Sequence, residues 1–277
     1  MTVRKMRPGE IGLALDWAKQ EGWNPGLHDS ICFFNTDNNG FFVAEEEKKI
    51  IGVISAVKYS HNYGFIGIYI VEKNYRGGAA GLLLARHAFD YLKNCNIGLD
   101  GVLERVENYK RIGFKFFCKN IRFSGSIQPN SFNYKDIVSI DRSFYPRVFI
   151  YDRSCFPADR VEFLYCWVRQ PDHYSFCRKI GNKILGYGVI RKCDIGYKIG
   201  PLFADDSETA EMIFLKLCEA ASFGLVYIDT PEINQQAVDL AKKYNLKECF
   251  ATAGMYSKKE PEIDVQKIYG VTTFELG

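Results

Sequence analysis

Histidine, methionine and tryptophan are scarce in this sequence, at four, four and three of 277 residues. The histidines, at 28, 61, 87 and 173, do not cluster, and the nine cysteines include no Cys-x-x-Cys pair. That leaves no zinc-type ligand spacing, and no metal is expected. An odd number of cysteines without regular spacing also argues against a disulfide framework. The thiols are expected to lie mostly buried, as small hydrophobes, in a reducing cytoplasm. No apolar run approaches the roughly 18–20 residues of a membrane span. The first eight residues lack the apolar stretch of a signal peptide. No membrane partner is therefore expected. Charge of either sign is close to balanced, with a mild positive excess: 36 Lys+Arg face 33 Asp+Glu. A nucleic-acid binder carries a stronger basic bias or a clustered stripe, so no nucleic-acid partner is expected.

What is present is an ordinary globular balance, 47% hydrophobic and 25% charged, enough to bury a real core. Thr2–Met6 reads as a short strand and Pro8 as the first turn of a helix to about Gln20. The Gly22-Trp23-Asn24-Pro25-Gly26 segment breaks that helix. A second short helix is expected over Asp29–Phe34, with Asp29 as its cap. Gly40–Glu45, Ile50–Tyr59 and Phe65–Val71 form an antiparallel meander with polar turns. Then come a helix over Leu82–Lys93, a strand over Ile97–Gly101, a helix over Leu103–Arg111, and one or two strands within Phe114–Phe123.

Ser124–Lys135, rich in Ser, Asn, Pro and Gly, has no period and reads as a linker. The second half repeats the order weakly. Helix Arg160–Arg169 precedes strands His173–Ile180, Ile184–Arg191 and Ile195–Phe203. Helix Ser207–Ala221, strand Leu225–Asp229, helix Asn234–Tyr244 and a closing strand Ile268–Leu276 follow. Val71 to Asp100 and Leu202 to Asp229 are stretches of nearly equal length. The expectation is α+β, with two tandem copies of one fold: a first domain over 1–125, a linker over 126–135 and a second domain over 136–277.

The most informative segment is Val71-Glu72-Lys73-Asn74-Tyr75-Arg76-Gly77-Gly78-Ala79-Ala80-Gly81. A strand ends, and very small residues feed directly into a helix. Small residues let backbone N–H groups approach an anion, and the free amides and dipole of a helix start favour negative charge. Arg76 adds a fork-shaped cation for the same group. It is not a Walker loop, because no Gly-Lys-Ser/Thr follows, and it lacks the glycine spacing of a dinucleotide fingerprint.

With Arg76-Gly77-Gly78-Ala79-Ala80-Gly81, the downstream Leu99-Asp100-Gly101 and the run Asn108-Tyr109-Lys110-Arg111-Ile112-Gly113-Phe114, residues 2 to about 124 resemble the GNAT acetyltransferase superfamily. Ala79 stands where that family has its first loop glycine. The loop Glu21-Gly22-Trp23-Asn24-Pro25-Gly26, with the closing Ile268–Gly277, looks like a two-domain, tandem-GNAT subgroup. The resemblance implies two GNAT-like domains, each a mixed, mostly antiparallel sheet flanked by helices, with a splayed central strand pair. It implies acetyl-CoA or coenzyme A as co-substrate. Gly77, Gly78, Ala79, Ala80, Gly81 and Arg76 would hold the pyrophosphate, with Asn108 beside the cofactor. The backbone of Ile70 and Val71 would hold the pantetheine.

Tyr109 would be the general acid at the sulfur. The base stays open among Asp100, Glu21, Glu104 and an ordered water; Asp100 ends the strand beside the expected cleft. Trp23, Asn24 and Asp29 would form a wall of the acceptor site. The expected activity is N-acylation, with acetyl as the acyl group and the primary amine of a small molecule as acceptor. A longer acyl donor is a variant of it. The alternative is a weak or inactive acyl-CoA-binding regulator. The protein would be a monomer or homodimer. The second half has Gly200-Pro201-Leu202-Phe203-Ala204-Asp205-Asp206 at the corresponding place, and its aspartates would repel a pyrophosphate. No cofactor is expected there; that half would cover the acceptor pocket.

Overall fold

The computed structural model describes residues 1–128 and 134–277, so half of the expected linker over 126–135 lies outside the described residues. In the first half, β1 (Thr2–Lys5) is followed by a short turn of helix over Pro8–Glu10. Then come α1 (Ile11–Gln20), α2 (Asp29–Thr36), β2 (Phe41–Glu46), β3 (Lys49–Lys58) and β4 (Tyr63–Val71). Next are α3 (Ala79–Tyr91), β5 (Asn96–Val102), α4 (Val106–Arg111) and a single long β6 (Lys115–Ser126).

The second half brings β7 (Ile137–Ser139) and α5 (Tyr145–Asp152), neither foreseen, then α6 (Val161–Trp167) and β8 (His173–Ile180). β9 (Lys183–Lys192), β10 (Tyr197–Ala204), α7 (Ser207–Ala220) and β11 (Leu225–Pro231) come next. α8 (Gln235–Lys243), β12 (Lys247–Tyr256) and β13 (Ile268–Gly270) close the chain. The closing strand is shorter than expected. After Gly270 the chain runs irregular but buried, with Thr272, Thr273, Glu275 and Leu276 all inside.

All strands join one sheet, in the order β1-β2-β3-β4-β5-β12-β6-β11-β10-β9-β8-β7, with β13 on β10. The order shows a reciprocal exchange. β12, from the second half, pairs with β5 of the first, Gly254 opposite Asp100 and Thr252 opposite Val102. In return β6, from the first half, pairs with β11 of the second, Asp229 opposite Arg122.

The apolar residues sort onto two faces. Against one face, α1 and α2 share a core with α5, α6 and the closing segment, including Phe33, Phe163, Trp167, Tyr187 and Leu276. The other face is covered by α3 in the first half and by α7 and α8 in the second. Alternation of side chains along each strand makes both faces possible.

Two expectations are corrected. Asp29 does not cap α2, whose preceding residue His28 makes no side-chain cap. Asp29 is fully buried, because its carboxylate accepts from Gly26 N at 2.8 Å and Arg191 Nε at 2.9 Å. Cys32 and Cys166, with Cα atoms 5.3 Å apart, form a disulfide between α2 and α6 that the irregular cysteine spacing gave no reason to expect. Of the seven remaining cysteines six are buried, and Cys249 is exposed.

Candidate active site

The loop before α3 starts with Gly77 at φ +81°, a left-handed conformation that favours glycine. Gly78 precedes α3 in extended backbone, and no side chain caps that helix. The first-turn amides of a helix have no intrahelical partner, so the start of α3 presents open donors. A Cβ at Gly81 would lie 2.7 Å from the Tyr69 hydroxyl, so a larger residue there would push that ring aside. Ala79 is exposed and Ala80 buried. Arg76 is turned across the end of β4. Its Nε donates to the Val71 carbonyl at 2.9 Å and its Nη2 to Glu21 at 2.5 Å.

β4 and β5 run parallel and pair from Tyr63–Asn96 to Ile66–Leu99, then part. A register shift against β3 and the positive φ of Ile68, +44°, bend β4 at that point. Ile70 and Val71 still pair with β3, opposite Val53 and Gly52. Their other edge therefore faces the opening between β4 and β5.

Beside this opening, β5 turns two residues to opposite sides. A Cβ at Gly101 would lie 2.4 Å from Tyr109 Cε2, so the Tyr109 ring, carried by α4, lies flush on that side. It packs with Phe114, ring centres 6.3 Å apart, and burial raises its pKa. Asn108, one residue earlier, is exposed. Asp100 points to the other side. It lines a cavity of about 60 Å³ between the halves. Its Oδ1 accepts from Asn120 Nδ2 at 2.6 Å and from Thr252 Oγ1 at 3.0 Å. Burial pushes its pKa up to about 7, and the nearby Asp229 and Glu275 push the same way against those two hydrogen bonds. A carboxyl near neutrality can take a proton at physiological pH.

Aromatic rings dominate the cavity, with Tyr63, Phe65, Phe117, Phe156 and Tyr256 around Asp100. Val271, Thr272 and Gly277 of the closing segment form a further wall. That segment is pressed hard onto β4. A Cβ at Gly67 would lie 1.9 Å from the Glu275 carbonyl, and Tyr59 donates its hydroxyl to Leu276 O at 2.9 Å.

Trp23, Asn24 and Asp29 stand elsewhere, and none of them lines this cavity. The Trp23 carbonyl accepts from Arg122 at 2.8 Å and Lys198 at 3.1 Å. Asn24, at φ +51°, exchanges hydrogen bonds with the Ile195 backbone. These residues clamp the α1–α2 connection to β6 and to the β9–β10 hairpin. Arg122 also pairs with the buried Asp229 through two hydrogen bonds, 2.6 and 2.7 Å. Burial, then the neighbouring Arg122, lowers the Lys198 pKa. Of the other base candidates, Glu21 is taken by Arg76, and Glu104 is exposed in the turn of helix before α4.

Sequence reasoning missed Asn120 and Thr252. The signal for Asn120 was available: Asn120 and Arg122 are polar residues alternating with the apolar Ile121 and Phe123. Thr252 reaches Asp100 only through the strand exchange, which leaves no local trace.

In the second half the equivalent places are filled. The N-terminus of α7 is capped by Asp206, which accepts from Thr209 N at 2.7 Å. β10 and β11 pair only from Tyr197–Val226 to Ile199–Ile228, but β13 then pairs with β10 beyond that point.

The first half thus joins an open helix start to a parting of two parallel strands. Comparison with known proteins shows the family. Residues 11–114 match the acetyltransferase (GNAT) family model, and residues 148–270 match an acetyltransferase (GNAT) domain model. Holothin acyltransferase of Pseudoalteromonas sp. (strain SANK 73390) is 29% identical over 263 residues, covering 95% of this chain and 90% of the relative.

A Pyrococcus horikoshii protein assigned as an acetyltransferase superposes with a TM-score of 0.84 at 22% identity, over 100% of this chain and 95% of that one. A tandem GNAT protein from the clavulanic acid biosynthesis pathway gives 0.59 at 9% identity, over 92% and 97%. The chain belongs to the GNAT family, with two such domains in tandem. It is an acyltransferase of the GNAT type, a class that uses acyl-CoA as co-substrate and here implies a small-molecule acceptor. Among the described residues no helix is long and apolar enough to cross a membrane, and no three His, Cys, Asp or Glu converge as a metal site.

Proposed function

We propose that this protein transfers an acyl group, acetyl first among candidates, from acyl-CoA to the primary amine of a small molecule by direct attack. Residues 1–125 supply the cofactor cleft, residues 136–277 cover the acceptor, and 126–135 link them. One observation carries the reading: Tyr109 and Asp100 flank the parting of β4 and β5 from opposite sides. A thioester laid between the strands meets an acid on one side and a base on the other.

The start of α3, from Gly77 to Gly81, takes the pyrophosphate, and Arg76 swings from Glu21 to join it. The free edge of Ile70 and Val71 takes the pantetheine amides, and the Val71 region offers an N–H to the oxyanion. Asn108 borders the cofactor. Asp100 accepts the amine proton as the nitrogen–carbon bond forms. Tyr109 gives a proton to the thiolate as the carbon–sulfur bond breaks, and holding both substrates in reach supplies much of the acceleration. Asn120 and Thr252 are positioning residues that fix one oxygen of Asp100. Trp23, Asn24 and Asp29 act on the acceptor side by holding the two halves closed. Seven free thiols suit a cytoplasmic setting, while the Cys32–Cys166 disulfide weighs toward a more oxidising one.

The test is thermal stabilisation by acetyl-CoA and longer acyl-CoAs, followed by thiol release with a panel of amines. Thiol release with an amine supports the reading. The engagement of Arg76 by Glu21 favours one competitor, an acyl-CoA-binding regulator without turnover. Stabilisation by acyl-CoA with no thiol release from any amine would select it.

A further inference from the structure

Resting on that reading, we infer that the acceptor is a small, flat amine of one or two rings, bound with its amino group toward Asp100 between the aromatic walls of the inter-half cavity. Three observations carry this.

The first is the lining. Six aromatic rings surround the space: Tyr63 and Phe65 from β4, Phe117 from β6, Phe156 from the α5–α6 connection, Phe203 from β10 and Tyr256 from β12. They are set at angles to one another. Tyr63 meets Phe156 edge to face, centres 5.7 Å apart, and Phe117 meets Tyr256 likewise at 5.5 Å. Such walls offer faces and edges to a planar ring.

The second is charge. No Lys, Arg, Glu or His lines the cavity, and Asp100 is its one acidic side chain; the Gly277 oxygen in the wall accepts from Arg160 at 3.4 Å. A polyamine or an amino sugar with several ammonium groups would leave all but one of its charges unpaired in an apolar space, which is costly. An acidic acceptor would find no cation. Hydroxyl-rich sugars would find few partners, since Asn120 and Thr272 are the main neutral polar side chains besides the tyrosines. An amine attached to an aromatic ring arrives uncharged and has no cation to desolvate.

The third is size. About 60 Å³ holds roughly four to six waters at ~10–15 Å³ each, so the acceptor is limited to a small ring system unless the rim yields.

The step balances without a further reagent. The amine nitrogen bonds to the acyl carbon, and the carbon–sulfur bond breaks. Asp100 receives the nitrogen's proton and Tyr109 supplies one to the leaving thiolate. Proton return from Asp100 to Tyr109 through solvent resets the site, and the products are an amide and a free thiol.

The experiment compares anilines and small aminoheterocycles with spermidine, glucosamine and a lysine peptide, reading both calorimetric binding of each amine and thiol release with acetyl-CoA. The expected result is at least tenfold higher kcat/KM for the ring amines. Ile263, half-buried in the cavity wall, gives a filling variant: Ile263→Trp should cut ring-amine kcat/KM tenfold or more with less than a twofold change in acyl-CoA affinity. Phe117→Ala should shift preference toward larger ring systems. Preferred turnover of spermidine, glucosamine or the peptide would overturn the inference while leaving the acyltransferase reading intact. Ring-amine binding that Ile263→Trp abolishes, without thiol release, would support the inference and overturn turnover by this site.

Discussion

The two halves carry the same succession of elements, yet only the first leaves its parting of strands open. In the first, α3 starts without a cap and the strands part onto open space. In the second, Asp206 occupies the helix start and β13 fills the parting beyond Ile199 and Ile228. A GNAT-like cleft is thus closed by two small additions of the chain's own: one carboxylate at the helix start and three residues of strand. What the second half loses in binding it returns as walls, through Phe156, Tyr256, Val271 and Thr272.

That contrast can be tested from the largest expected effect downward. Asp100→Asn should lower kcat about 10²-fold or more, the usual scale for losing a general base. Asp100 must be ionised to act, and its pKa is raised from 3.8 to about 7. Wild-type activity should therefore rise with pH through about 7, and the residual activity of the variant should lose that limb. The same shift makes the folded protein bind this proton more tightly than the unfolded chain, so its contribution to stability falls as pH rises from about 4 to 7. Tyr109→Phe should cut kcat about tenfold to a hundredfold while leaving acyl-CoA affinity unchanged, measured by single-turnover thiol release and calorimetry.

Arg76→Glu should weaken acyl-CoA about tenfold by calorimetry, by placing a negative charge at the α3 start. Thr252→Val removes a hydrogen bond that lowers the Asp100 pKa, so the activity limb should move to higher pH. A shift there would show the second half tuning the chemistry of the first. Asp206→Ala should cost about 1 kcal/mol of stability, the usual worth of a lost cap. It should still leave one acyl-CoA bound per chain, because β13 remains in the second parting.

Much of this was legible in the sequence. The meander, α3, β5 and the Gly-rich loop follow from alternation, helical spacing and small residues, which are local signals. Asp100 could be named as a base candidate but not chosen over Glu21, because its burial depends on Asn120 and Thr252 converging from two other strands. The roles of Trp23, Asn24 and Asp29 turned on Arg122, Lys198, Ile195 and Arg191, all distant in sequence. α5 was missed because Pro146 and the mixed run from Tyr145 to Asp152 give weak periodicity. The exchange of β6 and β12 left no mark, since each strand's own pattern fits either neighbour.

That exchange has a consequence for biogenesis. A nascent chain that has released only its first 126 residues holds β5 without the strand that belongs beside it. The gap stays open until Lys247–Tyr256 leaves the ribosome. Unpaired strand edges invite foreign pairing, so the vulnerable period of this protein spans more than a hundred residues of synthesis. An edge left unpaired for that long makes the nascent chain a target for holdase chaperones.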